Sequence, residues 1–166
     1  MIFADLAAGD SVFLDANTLV YHFGPHPTFG AACSQLVQRI ENREIHGFTA
    51  THVLAEATHQ LMILEASTLP GWTLSKVKKR LQQQPGTLQN LTHFRAAVDS
   101  VLQSALQILS IAPALLGTAA LISQQSGLLT NDALIVAIMR QYGLSRIASH
   151  DTDFDRIAGI TRYAPV

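Results

Sequence analysis

The most constraining feature of the sequence is an alternation of short apolar runs with longer segments of helical periodicity. The short runs are rich in β-branched and aromatic residues and predict strands at 11–15, 46–50, 107–111 and 145–149, with a short edge strand at 161–165. The longer segments predict helices over about 28–43, 51–66, 73–84, 87–104, 113–125 and 131–141. This order predicts an α/β fold in which helices cover both faces of a central parallel sheet.

Several residues near the bounds of these segments are of types that begin or end helices. Thr51 and either Thr130 or Asn131 are expected N-caps, because their side-chain oxygens can accept a backbone N–H group. Gly127 and Gly143 are expected to end helices.

The length of 166 residues predicts a single domain spanning 1–166, which can bury roughly two thirds of the surface that the unfolded chain exposes. The polar stretch 68–86 lies within a longer connection at about 66–106. We interpret this connection as a helical excursion from the domain and not as a domain boundary.

The composition predicts a soluble, cytoplasmic protein with no membrane association. Cys33 is the only cysteine and excludes an internal disulfide. The start of the chain, MIFADLAAGD, has no basic residue and does not resemble a signal peptide. The apolar run 111–122 contains a proline and is shorter than the ~20 residues of a membrane helix. Charged residues make up 14% of the chain, which favours an apolar surface shared with another subunit or partner.

Acidic residues follow two of the predicted strands. Asp15 closes the first strand, while Asp151 and Asp153 follow the fourth. Because parallel sheets bind ligands at the carboxyl ends of their strands, these acids are expected at one edge of the sheet.

Two further acids lie in predicted helices. Asp132 opens the helix 131–141, where a carboxylate stabilises the helix dipole by ~0.3–1 kcal/mol, so this residue alone is explained by a structural role. Glu56 borders an apolar stripe that includes Val53 and Ala57, and no Lys or Arg lies within helical reach of it. A carboxylate in that position needs a cation.

The acids become informative as a group if the order of the strands lets them converge. Several carboxylates cannot remain ionised together without a cation, and oxygen ligands suit Mg²⁺ or Mn²⁺. An open site of this kind favours phosphodiester hydrolysis by metal-activated water.

Four segments that carry these acids together resemble the PIN-domain nucleases, especially the VapC-type toxins of prokaryotic toxin–antitoxin pairs. The segments are VFLDANTLVYHF, VLAEATHQL, LLTNDALIVAIMRQYGL and IASHDTDFDRI, and the resemblance runs from about residue 8 to 164. It implies a three-layer α/β/α sandwich and a Mg²⁺- or Mn²⁺-dependent endoribonuclease that cleaves RNA.

The resemblance also implies roles for individual residues. The family's catalytic acids are matched by Asp15, Glu56, Asp132 and Asp151. Three of these would hold the ion directly, and Glu56 would act with an auxiliary acid, Asp153, through water or a second ion. Small polar residues that orient the acids in the family are matched by Asn17, Thr130 and Ser149.

Partners are implied by the same resemblance. We expect a homodimer and an antitoxin whose C-terminal segment blocks the acidic pocket. RNA binding needs positive charge, which the net charge of −1 does not supply. A local basic cluster could supply it: Lys76, Lys78, Lys79 and Arg80. As a charge run on a helix, the same cluster is also explained as a solvated face.

Other residues near the acids have simpler interpretations. Asp155 is expected to cap a helix that starts at DFDRI, with Phe154 and Ile157 packing inward. We interpret His150 as a surface residue and Tyr21 as a packing residue.

Two alternatives remain open. In a non-catalytic interaction module with this fold, the acids would only cap helices. A metal-dependent phosphatase of the haloacid-dehalogenase type also begins with an acid after its first strand, but it needs a second aspartate where this chain has Asn17, and it gives Glu56 no role.

Overall fold

A parallel sheet of five strands forms the centre of the protein. The computed structural model describes residues 1–24 and 26–166. The strands are paired in the order β3-β2-β1-β4-β5, and every pair is parallel. They are β1 (Ser11–Leu14), β2 (His46–Ala50), β3 (Gln107–Leu109), β4 (Arg146–Ala148) and β5 (Thr161–Tyr163). The predicted strands are therefore confirmed, including the short strand at the edge.

Helices flank the sheet and connect its strands. They are α1 (Ala16–Phe23), α2 (Gly30–Glu41), α3 (Thr51–Ser67), α4 (Leu74–Gln83), α5 (Pro85–Gln89), α6 (His93–Gln103), α7 (Ala114–Ser126) and α8 (Thr130–Gln141). Short 3₁₀ turns lie at Phe3–Asp5 and Thr152–Arg156. The predicted α/β/α sandwich with a central parallel sheet is confirmed. None of the helices in the described part of the chain combines the length and apolar character that a membrane crossing requires.

Helix α1 is absent from the helices that the sequence pattern predicts. Its residues, ANTLVYHF, are mostly β-branched or aromatic types with low intrinsic helix propensity. The helix forms because the Asp15 side chain caps its first turn and because Leu19 and Val20 are buried in the core. Tertiary packing here outweighs local propensity.

The predicted helix over 87–104 is confirmed for 93–103 as α6, but its first part is wrong, because the helix breaks before His93 and the chain forms the separate short helix α5. The Glu65 carboxylate of α3 accepts hydrogen bonds of 2.7–3.0 Å from the backbone N–H groups of Thr92, His93 and Phe94. It therefore satisfies the free donors at the start of α6. The capping residue is distant in sequence, so local pattern could not reveal it.

Each predicted N-cap lies at least one residue after the N-cap position that the structure shows. The predicted helix ends are correct. Ala50 and Leu129 occupy the N-cap positions of α3 and α8, and neither provides a side-chain cap. Gly127 ends α7 in the left-handed conformation with φ 70°. Gly143, with φ 67°, follows the end of α8.

The excursion at 66–106 contains a small apolar cluster of its own. Val77 and Leu81 of α4 pack with Ala66 of α3 and with Leu91. Helix α4 is thus attached to the end of α3, while α6 packs along α3.

Gly47 of β2 occupies a site where the backbone approaches its neighbours closely. A Cβ atom there would lie 2.6 Å from Ile40 Cδ1 and 2.8 Å from Leu106 Cδ1. We expect Gly47→Ala to lower the free energy of unfolding by about 1–3 kcal/mol, because the buried Ile40 and the partly buried Leu106 would have to move. Urea unfolding measures the change.

Gly117→Ala is the matched control. Gly117 lies inside α7 and is exposed, and a Cβ atom at this position would meet no heavy atom of the described residues within 4 Å outside its own helical turn. The same chemical change should there raise stability by about 0.5–1 kcal/mol, because alanine favours helix. Equal effects at the two positions would contradict the packing assigned to Gly47.

Candidate metal-binding and nuclease site

Asp15 lies at the carboxyl end of the central strand β1 and is 7% exposed. Its Oδ1 atom accepts a hydrogen bond from the Ala16 backbone N–H at 2.6 Å, so the side chain caps α1. Its Oδ2 atom accepts from Ser149 Oγ at 2.7 Å and from the Asn17 side-chain amide. The carboxylate is held by neutral donors on both oxygens.

Ser149 connects the ends of β1 and β4. It is fully buried, and besides donating to Asp15 it accepts hydrogen bonds of 3.0 Å from the Asp151 backbone N–H and the Asn17 side-chain amide. Asn17 Oδ1 accepts from the His150 backbone N–H, also at 3.0 Å. Ser149 and Asn17, the polar residues matched to the family, therefore hold the loop that carries Asp151 against Asp15.

The loop after β4 places Asp151 and Asp153 beside this network. Asp151 Oδ1 accepts from the Asp153 backbone N–H at 2.8 Å and caps the following 3₁₀ turn. The Asp153 carboxylate lies 3.2 Å from Arg156 Nη2. Both partners are exposed, so this ion pair contributes little to stability.

Glu56 and Asp132 approach from α3 and α8. Glu56 accepts hydrogen bonds from the side-chain amides of Asn131, at 3.0 Å, and Gln60, at 3.1 Å. Asp132 is partly buried in the first turn of α8. Within the described residues its carboxylate accepts no hydrogen bond and forms no ion pair.

The charges of neighbouring acids act on both Asp15 and Asp132. Burial raises the pKa of Asp15 from 3.8 to about 6, and the charges of Glu56 and Asp151 add to the rise, although hydrogen bonds from Ser149 and Ala16 oppose it. Burial also raises the pKa of Asp132 to about 6, with repulsion from all the other acids of the group.

This group of carboxylates suits a divalent cation in charge and in donor type. Its ligand atoms are oxygens, which Mg²⁺ and Mn²⁺ prefer. A cation would also neutralise the repulsion that the other acids exert on Asp132. In residues 1–24 and 26–166 no three acidic, imidazole or thiol side chains are already arranged around a common ion position. Binding therefore requires some of the carboxylates to rotate toward each other.

Thr130 and the basic cluster, both predicted from the sequence, form no hydrogen bond with the acids within the described residues. Thr130 is exposed at the start of α8, and no hydrogen bond connects its side chain with the acids in the described chain. The basic cluster lies on α4, with its three lysines exposed. Arg80 instead donates to the Gly71 carbonyl and lies over the Trp72 ring, 5.5 Å from its centroid.

The prediction that Asp155 caps a helix is wrong. The cap of the 3₁₀ turn is Asp151, and Asp155 accepts two hydrogen bonds from Arg162, at 2.8 and 2.7 Å. Arg162 also donates to the Ser149 carbonyl at 3.2 Å, so the Arg162–Asp155 pair is connected to the loop that follows β4. The predicted inward packing of Phe154 and Ile157 is confirmed, since both are buried.

Arg162 and Asn131 support the site, and sequence reasoning missed this role for both. Arg162 lies on the edge strand β5, and nothing in its local sequence indicates a contact with the β4 loop. The sequence pattern indicates Asn131 only as an N-cap, although its position beside Asp132 is a usable clue.

The comparisons with known proteins agree with this architecture. The family model of the PIN domain matches residues 12–160. Ribonuclease VapC2 of Methanocaldococcus jannaschii is similar to this chain, with 28% identity over 150 residues that cover 89% of each protein. The resemblance predicted from the four sequence segments is confirmed.

Solved structures share the fold at lower identity. VapC20 of Mycobacterium tuberculosis, described as a toxin that cleaves the sarcin-ricin loop, has a TM-score of 0.60 and 17% identity, covering 90% of this chain and 96% of its own. VapBC2 of Rickettsia felis, bound to a DNA fragment from its promoter, contains a chain with a TM-score of 0.57 and 19% identity, covering 94% of this chain and 99% of its own.

The raised pKa of Asp132 predicts a pH-dependent effect of Asp132→Asn on stability without metal. The folded state disfavours the ionised carboxylate, so the wild type loses stability as the pH rises from about 4 to about 6. We expect the variant to be more stable by about 1–2 kcal/mol above pH 6, less than full burial would give, because solvent screens the site. The gain should vanish near pH 4. Urea unfolding in EDTA across this pH range measures it.

Asp99→Asn is the matched control, because the Asp99 side chain on α6 is 55% exposed. Its distance of 3.9 Å from Arg95 makes the pair a long and weak surface contact. Its effect should be small at every pH. A stability gain at Asp132 that did not change with pH would show that ionisation of the carboxylate is not its cause.

Proposed function

The chain belongs to the PIN domain family, and on this premise we propose that it is a Mg²⁺- or Mn²⁺-dependent endoribonuclease and the toxin of a toxin–antitoxin pair. The similarity to a named ribonuclease over 89% of the chain supports the activity. Two structural neighbours, one described as a toxin and the other as a VapBC assembly, support the biological setting.

The observation that carries the proposal is the state of Asp132. Its carboxylate is partly buried among other acids, its pKa is raised to about 6 by burial and repulsion, and no cation of the described chain neutralises it. Strongly perturbed pKa values cluster at functional sites.

Asp15, Asp132 and Asp151 would hold the cation, and Glu56 and Asp153 would support it through water or a second ion. When bound, a divalent cation supplies an activated water nucleophile and neutralises charge on the phosphate and the leaving oxygen. The products expected from this chemistry are a 5′-phosphate and a 3′-hydroxyl.

The polar residues around the acids provide the positioning. Ser149 and Asn17 donate to the same oxygen of Asp15, which fixes the carboxylate plane, while Oδ1 accepts from the Ala16 backbone. Ser149 also accepts from the Asp151 backbone N–H, so its hydroxyl links these two acids directly. Asn131 and Gln60 restrain both oxygens of Glu56 in a comparable way.

The interaction-module alternative accounts for part of the site. Asp15 and Asp151 each cap a helical turn, as that alternative requires. Asp132 lies in the first turn of α8, where a carboxylate also suits the helix dipole. The alternative does not explain why its neighbours are acids that repel it, or why it receives no hydrogen bond from the described residues. The phosphatase alternative is weaker, because Asn17 serves as an amide donor where a second aspartate would be needed.

An antitoxin and a second copy of the chain are the proposed protein partners, and the cytoplasm is the proposed location. Helix α7 exposes Leu116 and Leu121, which are 55% and 58% exposed, and such apolar surface supports a buried interface. Light scattering that finds only a stable, active monomer would contradict the homodimer.

The nuclease prediction concerns Asp15→Asn and Asp132→Asn. Each variant should reduce RNA cleavage by about a hundredfold or more, because each removes a ligand of the proposed cation. The assay uses purified, antitoxin-free protein with a mixed pool of structured and single-stranded RNAs, in Mg²⁺, in Mn²⁺ and in EDTA. Cleavage should occur with either metal and stop in EDTA.

Asp99→Asn provides the control for this assay as well, since Asp99 lies on the surface of α6 outside the acid group. It should retain wild-type activity. Cleavage that survives in EDTA or in both site variants would refute the proposed site. Absence of cleavage by the folded, metal-loaded wild type would favour the interaction module.

A further inference from the structure

Four aromatic side chains meet directly beside the acids: Tyr21, His26, Phe29 and His150, here called the ring cluster. They come from α1, from the segment before α2 and from the loop after β4. The His26 and Phe29 rings are stacked, with centroids 4.9 Å apart and an interplanar angle of 12°. The Phe29 and His150 centroids are 4.5 Å apart.

The ring cluster is tied to the acid site through the backbone. His150 immediately precedes Asp151, and its N–H donates to Asn17 Oδ1 while the Asn17 amide donates to Asp15. The position of the His150 ring is therefore fixed by the network that also fixes Asp15.

Packing explains only part of the cluster. Tyr21 and Phe29 are partly buried and pack against the main core. His26 Nδ1 accepts a hydrogen bond from the Phe29 backbone at 3.1 Å, which orients its ring. His150 is exposed, and within the described residues neither of its ring nitrogen atoms has a hydrogen-bond partner. The His150 ring therefore gives the ring cluster an aromatic face that is accessible to solvent.

We propose that the ring cluster binds an unpaired nucleobase of the RNA, stacked on His150 next to the phosphate held at the acids. This inference rests on the proposed nuclease function and names how its substrate is held. No Lys or Arg belongs to the cluster, and all four of its members offer π surfaces on which a base can stack. Every base has a π face, so stacking positions single-stranded RNA with little sequence preference.

The test uses a short single-stranded RNA that contains 2-aminopurine, whose fluorescence is quenched when it stacks. The protein is titrated in Ca²⁺, which neutralises the acids. We expect saturable quenching by the wild type. His150→Ala should weaken the apparent affinity by about tenfold or more, and His150→Phe should remain within about twofold of the wild type, because it restores an aromatic face. Because the contact of His150 with Asn17 is made by its backbone, neither variant removes it.

His46→Ala is the matched control, because His46 is an exposed histidine at the amino end of β2. The acids follow the carboxyl ends of the strands, on the opposite side of the sheet. It should quench like the wild type. Equal quenching by His150→Ala and the wild type would overturn the stacking proposal, and so would absence of quenching by the wild type. Gel analysis of parallel samples in Mg²⁺ reports cleavage separately. Intact quenching without cleavage would refute the nuclease and keep the base-binding surface.

Discussion

The parallel pairing of β1 with β4 is the constraint on which the site depends. It places the ends of two strands that are distant in sequence side by side, with Leu14 paired with Ala148. The Asp15 backbone N–H and the Thr18 hydroxyl both donate to the Ala148 carbonyl, so the pairing continues beyond the strands into the first turn of α1. Ser149, one residue further, then reaches the Asp15 carboxylate.

The acids at the ends of these strands form an excess of negative charge. In the described residues, amides and hydroxyls orient Asp15 and Glu56, Arg156 pairs with Asp153 at the margin of the group, and Arg162 pairs with Asp155 outside it. Such an arrangement costs stability in the ion-free protein and lowers the cost of binding a divalent cation. A loss of stability of this kind is common at active sites.

The sequence was sufficient to predict the strands and most of the helices, because these follow from local periodicity. It also placed Asp15 and Asp151 at the same end of the sheet, because parallel strands share a carboxyl edge. It was insufficient where a distant residue decides the local structure. The break between α5 and α6 depends on Glu65, and the support of the β4 loop depends on Arg162. Helix α1 forms through burial and the Asp15 cap in spite of poor propensity.

Calorimetric titration with Mn²⁺ tests whether the acids at the carboxyl ends of β1 and β4 and at the start of α8 share one cation. At pH 6 the titration should show saturable binding with release of protons, because the pKa values of Asp15 and Asp132 are both about 6 and their carboxyl groups must ionise to bind metal. At pH 8 the proton release should disappear, and Asp132→Asn should weaken binding at both pH values. Absence of saturable binding, or equal binding by the variant, would contradict the account.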